Sequence, residues 1–137
     1  MDVEDPQAFV DKAMPLCATL GVEVVSLAPE AVVLRLEWRA ELCTSGGLLH
    51  GGALMALADS AGGSCAFLNL PEGAAGTSTI ESKTNFFRGL TEGAVTAYAR
   101  PLHLGSTTIV IETELADDGG RAVAKVTQTQ AVLRPRS

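Results

Sequence analysis

The sequence predicts an α+β domain in which an antiparallel sheet wraps around one long apolar helix. Two observations lead to this fold class. Residues 46–70 carry apolar side chains at helical spacing on every face, whereas most of the chain after Pro71 alternates with the period of strands. A helix that is apolar all round is usually buried on all sides. A chain this rich in strands would bury it under a sheet.

The rest of the chain is predicted to form an N-terminal helix and six strands. Asp5 and Pro6 are typical of a helix start, and apolar spacing predicts a helix over 7–20, although Pro15 weakens its second half. Alternating side chains or β-favouring residues predict strands over residues 22–27, 32–39, 77–87, 94–101, 107–115 and 121–133. We therefore expect one domain over residues 1–137, with residues 1–20 as its N-terminal helical segment.

The composition excludes several classes of function. The chain has 10 basic and 16 acidic side chains, a formal net charge of -6, so nucleic acids and anionic membranes are poor partners. A membrane span over 46–70 is disfavoured because Asp59 and other polar residues interrupt it.

The three cysteines form no C-x-x-C motif, which argues against a zinc site or a disulfide framework. The acidic N-terminus lacks a signal-peptide pattern. We expect a cytoplasmic protein without a metal or other cofactor.

Two neighbouring features could carry chemistry. No Lys or Arg occurs from Ala40 to Ser82, so Asp59 stands alone in an apolar helix, where burying an unpaired carboxylate is costly. His50-Gly51-Gly52 lies where that helix starts, and bare N–H groups there favour a carbonyl oxygen or a developing oxyanion. Taken singly, Asp59 could be an ordinary helix residue and the glycines an ordinary turn. Together they supply the minimum set for acyl transfer.

The stretch LLHGGALMALADSAGG (48–63) resembles the H-G-G…D signature of hotdog-fold acyl-CoA thioesterases. It is closer to the phenylacetate-degradation (PaaI-like) type, whose acid is an Asp on the central helix. The segment TIESKTNFFR (79–88) is similar to the family's next strand, and the resemblance extends over residues 22–133. It implies a hotdog fold that hydrolyses an acyl-CoA, or an acyl group on a carrier protein, with water and without a cofactor.

The resemblance also implies roles for single residues. The N–H of Gly51 would polarise the thioester carbonyl, and His50 would orient the thioester or the loop. Asp59 would activate water or attack directly, and Thr79 would hold the water. The implied substrate-binding residues are Thr44, Gly52, Asn85 and Arg88. Arg88 would lie near the coenzyme A phosphates, whereas Thr44 stands where many relatives have Asn. Candidate walls of the acyl pocket are Leu54, Met55, Phe67 and Phe86.

Spacing along the helix predicts a site shared between two chains. His50 and Asp59 are nine positions apart, roughly 13 Å along a helix axis, too far for one carbonyl to reach both. Two antiparallel helices about a two-fold axis remove the problem, and the small residues Ala56, Gly62 and Gly63 would allow their close approach. The resemblance likewise implies a homodimer or a homotetramer. Two alternatives stay open, a hotdog hydratase or dehydratase and a non-catalytic acyl-CoA-binding or assembly module.

Overall fold

A computed structural model describes residues 4–136. Within this range the chain forms three α-helices and six strands, and two short 3₁₀ turns join the second strand to the third helix. The bounds are α1 Pro6–Ala13, α2 Pro15–Leu20, β1 Glu23–Leu27, β2 Val32–Glu37, α3 Gly51–Leu68, β3 Gly76–Phe86, β4 Ala94–Leu104, β5 Thr108–Asp117 and β6 Ala122–Leu133. Residues 1–3 and 137, which the one-domain prediction includes, lie outside the described residues.

The six strands form one antiparallel sheet in the order β1-β2-β4-β5-β6-β3. The chain runs from α3 into β3, which pairs with β6 and forms one edge of the sheet, while β1 forms the other. Helix α3 packs against β2, β3, β4, β5 and β6. The predicted fold class, an antiparallel sheet around one long helix, is therefore confirmed.

The sheet covers one side of α3. Leu57, Ala58, Ala61 and Cys65 face the sheet and are fully buried. Gly62 belongs to the same face, because a Cβ there would collide with the side-chain amide of Gln128 in β6. The expectation that Gly62 makes room for a second helix is therefore wrong, since this glycine lets the helix approach its own sheet.

The opposite side of α3 is open. Met55 is 41% exposed, Phe67 is 38% exposed, and Asp59 lies between them on the same exposed face. Ala56 and Gly63 flank this face and are half-buried. The expectation that the helix is buried on all sides is wrong for a single chain, because a six-stranded sheet encloses only one side of it. An apolar stripe with one carboxylate is left without cover from residues 4–136.

Two element boundaries differ from the predictions. The helix predicted over 7–20 breaks at Met14 (φ −130°, ψ 83°) because Pro15 disfavours a helical conformation in the residue before it. The apolar spacing that begins at Gly46 becomes α-helical only at Gly51. Gly46 and Gly47 have φ values of 77° and 72°, a left-handed conformation that favours glycine and makes a turn there. In the part of the chain described, no helix has the length and hydropathy to cross a membrane.

Candidate active site

The carboxylate of Asp59 is held through one of its two oxygens. Its Oδ1 accepts hydrogen bonds from Thr79 Oγ1 at 3.2 Å and from Gln128 Nε2 at 3.0 Å. Thr79 Oγ1 in turn accepts a hydrogen bond from Gln130 Nε2 at 2.6 Å. Within residues 4–136, Asp59 Oδ2 has no hydrogen-bond partner. The carboxylate is thus fixed in orientation while one oxygen stays free to act.

Gln128 and Gln130 are the residues of the candidate site that the sequence analysis missed. Both are 1% exposed and lie at alternate positions of β6 that face α3. These are positions where an apolar side chain is the norm, as at Val126. Buried amides need hydrogen-bond partners, so two glutamines on the inward face of a strand were a signal that a polar group lies opposite them.

Thr79 reaches Asp59 only because β3 contains a bulge. Thr84 and Phe86 lie opposite the buried residues Val126 and Ala124, so this part of the strand turns its even-numbered side chains towards α3. Strict alternation would turn Thr79 away from the helix. The register shifts between Thr79 and Glu81, and the extra residue brings Thr79 back to the inner face, opposite Gln130.

The first turn of α3 presents a free backbone donor. His50 is the N-cap, and its Nδ1 accepts a hydrogen bond from Gly52 N at 2.7 Å. The N–H of Gly52 is therefore occupied, whereas Gly51 N–H has no acceptor among the described residues. A Cβ at Gly51 would lie 3.2 Å from the Phe86 ring, so this ring borders the free N–H. The helix start favours a negatively charged oxygen at that position.

A cavity of about 450 Å³ opens beside Asp59. Of the four candidate pocket walls, Phe67 lines this cavity, Leu54 is buried in the core, Met55 is on the open helix face and Phe86 covers Gly51. The remaining lining residues come from α1, from Met14 directly after it, from α3 and from strands β1, β3 and β6: Phe9, Ala13, Met14, Leu27, Gly63, Ser64, Leu68, Gly76, Thr77, Thr79 and Gln130.

Within one chain, the Asp59 carboxylate lies far from the free N–H of Gly51. A separate cavity of about 310 Å³ lies beside His50 and Gly52 and does not include Asp59. Gly51 and Asp59 are eight residues apart on the same helix, which is about 12 Å along its axis. A single thioester carbonyl cannot lie at hydrogen-bond distance from both.

Three predicted substrate-binding residues lie apart from Asp59. Thr44 donates its N–H to the Leu48 carbonyl oxygen and opens the turn that leads to His50. Asn85 lies opposite Lys125, on the sheet face that points away from α3. Arg88 follows β3 and borders another cavity together with acidic side chains, Glu92, Asp117 and Asp118. Their roles in binding coenzyme A stay predictions.

The cysteines are poor candidates for the nucleophile. Cys65 is fully buried, and burial raises the pKa of its thiol to about 11. Burial also raises the pKa of the Cys17 thiol. The reactive form of cysteine is the thiolate, so neither side chain is activated at neutral pH. Across residues 4–136, no three His, Cys, Asp or Glu side chains form a group that could hold a metal.

Comparison with known proteins decides the family. The sequence profile of the thioesterase superfamily matches residues 46–124, which include α3, β3, β4 and β5. The chain belongs to the thioesterase superfamily. The predicted hotdog fold and thioester hydrolase activity are thereby confirmed.

Solved structures of thioesterases share the fold over nearly the whole chain. A thioesterase family protein from Silicibacter pomeroyi has a TM-score of 0.83 and 32% identity, covering 93% of this chain and 96% of that one. A mutant of thioesterase PA1618 from Pseudomonas aeruginosa has a TM-score of 0.86 and 28% identity, covering 96% of each chain. The 1,4-dihydroxy-2-naphthoyl-CoA hydrolase of Escherichia coli is 39% identical over 87 residues, 64% of this chain and 63% of that protein.

Proposed function

We propose that this thioesterase hydrolyses an acyl-CoA, with Asp59 as the general base or the nucleophile. The observation that carries the proposal is the Asp59 carboxylate itself. Thr79 and Gln128 hold its Oδ1, its Oδ2 is free within the described chain, and an apolar cavity opens beside it. A positioned base beside a space for the acyl group is what hydrolysis of a thioester requires.

In the proposed reaction, Asp59 acts first as a base and then as an acid, and Gly51 N–H stabilises the oxyanion. Asp59 takes a proton from water, and the hydroxide attacks the thioester carbonyl carbon. The carbonyl oxygen becomes an oxyanion that accepts a hydrogen bond from Gly51 N–H, at the start of a helix. The intermediate then collapses, the carbon–sulfur bond breaks, and the proton returns from Asp59 to the coenzyme A thiolate. In the alternative route, Asp59 attacks the carbonyl carbon, the carbon–sulfur bond breaks and the coenzyme A thiolate leaves. Water then hydrolyses the resulting anhydride to the free acid and the Asp59 carboxylate, and the proton released protonates the thiolate.

The edge strand β3 supports a site that two chains build together. Most of its side chains are exposed, and its outer edge is unpaired within residues 4–136. Long unpaired edges readily pair with another strand. If two β3 strands pair antiparallel about an axis between Ser82 and Lys83, Thr79 of one chain comes beside Phe86 of the partner subunit. Because Thr79 holds Asp59 and Phe86 borders Gly51, this pairing brings Asp59 to the other chain's free N–H.

The proposal of a coenzyme A thioester has independent support. The Escherichia coli relative is named as the hydrolase of an aryl-CoA, and its matched region accounts for 64% of this chain. An apolar cavity beside Asp59 fits an aryl or medium-length acyl group better than a polar one. The same assignment agrees with the PaaI-like resemblance.

The test is release of free thiol from a panel of acyl-CoAs by the parent protein and by Asp59→Asn. We expect the parent to release thiol and the variant to lose at least about 100-fold in kcat, as removal of a catalytic base does. Glu114→Gln is the matched control, because it removes one exposed carboxylate on the face of the sheet that points away from α3. Equal activity of Asp59→Asn and the parent would refute the assignment of Asp59.

The same panel separates the alternatives. Binding of acyl-CoAs without thiol release by the parent would support the non-catalytic module, and addition of water to an enoyl-CoA would support the hydratase. If thiol is released, single-turnover hydrolysis in heavy-oxygen water tests the direct-attack route. Label that enters the Asp59 carboxylate shows direct attack and excludes a pure general base, whereas label found only in the product acid fits both routes, because water can also open the anhydride at its acyl carbonyl.

A further inference from the structure

One wall of the cavity beside Asp59 is formed by residues that the superfamily profile does not match. Phe9 and Ala13 of α1, with Met14 directly after it, line this cavity together with residues of α3 and β3. The superfamily profile begins only at residue 46. The wall therefore lies outside the part of the chain that the superfamily profile describes, although the solved thioesterases that cover 93% and 96% of this chain also extend into this region.

Helix α1 is fixed in place by specific contacts. Asp5 caps it by accepting a hydrogen bond from Ala8 N at 3.0 Å, and Val10 is fully buried in the core. The Gln7 side chain ties it to the start of β1, because Nε2 donates to the Val22 carbonyl oxygen at 2.9 Å and Oε1 accepts from Val24 N at 2.8 Å. A wall held in this way can limit the size of a bound group.

The lining of the cavity defines the chemistry of its occupant. Phe9, Met14, Leu27, Phe67 and Leu68 give it a largely apolar surface. Among the described residues that line it, Asp59 alone carries a charge. A second carboxylate placed there would meet Asp59 and find no cation, which makes its burial costly. The cavity therefore suits an uncharged acyl group.

We infer that this cavity is the acyl subsite and that Ala13 and Met14, at the end of α1, set the largest acyl group it accepts. The substrates are uncharged aliphatic or aryl acyl groups, and acyl groups that end in a carboxylate are rejected. The inference rests on the proposed function for the reaction, and it adds the substrate class and the residues that select it. Ala13 is the sensitive position because it is small, exposed and in the lining.

The test compares Ala13→Leu with Ala8→Leu. Both alanines are exposed on α1, and Ala8 lies outside the cavity, so the two variants add the same side chain to the same helix. We expect Ala13→Leu to lower kcat/KM at least about 10-fold for hexanoyl-CoA and benzoyl-CoA and to leave acetyl-CoA within about 2-fold, since a few methylene groups in a pocket discriminate on this scale. Ala8→Leu should have the same kcat/KM as the parent for all three substrates. In the parent, succinyl-CoA should react at least about 10-fold more slowly than butyryl-CoA.

A binding measurement keeps this inference separate from the proposed function. Non-hydrolysable alkyl-CoA thioethers of increasing length are titrated calorimetrically into the parent, Ala13→Leu and Ala8→Leu. Weaker binding of the longer thioethers by Ala13→Leu alone supports the acyl subsite even if the parent proves unable to hydrolyse thioesters. Length profiles that are the same for all three proteins, or no binding at all, overturn the subsite even if Asp59-dependent hydrolysis is found.

Discussion

Asp59 depends on two side chains that are far from it in the sequence. Gln128 is 69 positions away and donates directly to its Oδ1, while Gln130 acts through Thr79. Both amides are buried, where a hydrogen bond to a charged group is strong and an unpaired polar group is costly. We therefore expect Gln128 to position the free oxygen of Asp59, in addition to any part it has in stability.

Gln128→Met tests this positioning role because it keeps the size of the side chain and removes the donor. We expect kcat to fall about 10-fold or more while KM changes little, since the lost hydrogen bond orients the reacting group and does not contact the substrate. Steady-state kinetics with the best acyl-CoA give both constants. Thr129→Val, on the other face of β6, is the control. A change in KM alone would contradict the positioning role.

Single residues show how far sequence can predict this site. Asp59, Gly51 and His50 could be named because they lie close together in one helical stretch with a recognisable spacing. Gln128 and Gln130 could not, because their importance depends on which face of β6 meets α3. Thr79 was named from the resemblance alone, since strict strand alternation places it on the wrong face and only the bulge before Glu81 corrects this.

At the scale of elements, the start of α3 fixes where the proposed oxyanion donor lies. His50 ends the loop with φ −61° and ψ 134°, and its imidazole occupies the N–H of Gly52. The N–H of Gly51 remains because the first N–H groups of a helix have no partner inside it. The donor is thus a property of the helix end, and it can be removed by changing the backbone alone.

Gly51→Pro removes this donor with little damage to the helix. Proline is favoured at the first helical position, and the extended conformation of His50 is the one that a following proline requires. We expect kcat to fall about 100-fold or more, the usual cost of losing one oxyanion donor. Gly51→Ala keeps the N–H and adds only the Cβ near the half-exposed Phe86 ring, so it should retain activity within about 10-fold. Equal losses in both variants would show that bulk, not the N–H, is responsible.

The helices and strands were largely predictable from the sequence, whereas the positions at which one helix breaks and another starts late were not. Alternation or β-favouring residues located all six strands within a few residues, although β3 buries none of its side chains. The break at Met14 and the late start of α3 depend on backbone effects of Pro15 and of the left-handed Gly46 and Gly47. Hydrophobic spacing runs through both places without interruption, so it cannot show them.

At the scale of the whole molecule, the proposed mechanism requires two chains. One chain holds a positioned carboxylate at one place and a free helix N–H about 12 Å away along α3, and an apolar helix face and an unpaired strand edge are left open between residues 4 and 136. A second copy related by a two-fold axis would cover both surfaces and complete two equivalent sites. Each site would then take Gly51 from one chain and Asp59 from the other.

Mixing two inactive variants tests whether the sites are shared. Gly51→Pro and Asp59→Asn are each expected to be inactive alone, since every site in either homodimer lacks one essential group. When differently tagged forms are denatured, mixed in equal amounts and refolded, about half of the dimers contain one chain of each kind. In such a dimer one site has lost both groups and the other is intact, so the mixture should recover about a quarter of the parent activity. Capture through both tags in sequence isolates the mixed dimers, which should then show about half of the parent activity per dimer. Mixed dimers that are captured but inactive would show that Asp59 serves the Gly51 N–H of its own chain or none, because only a site built across the interface can be restored by combining these two defects.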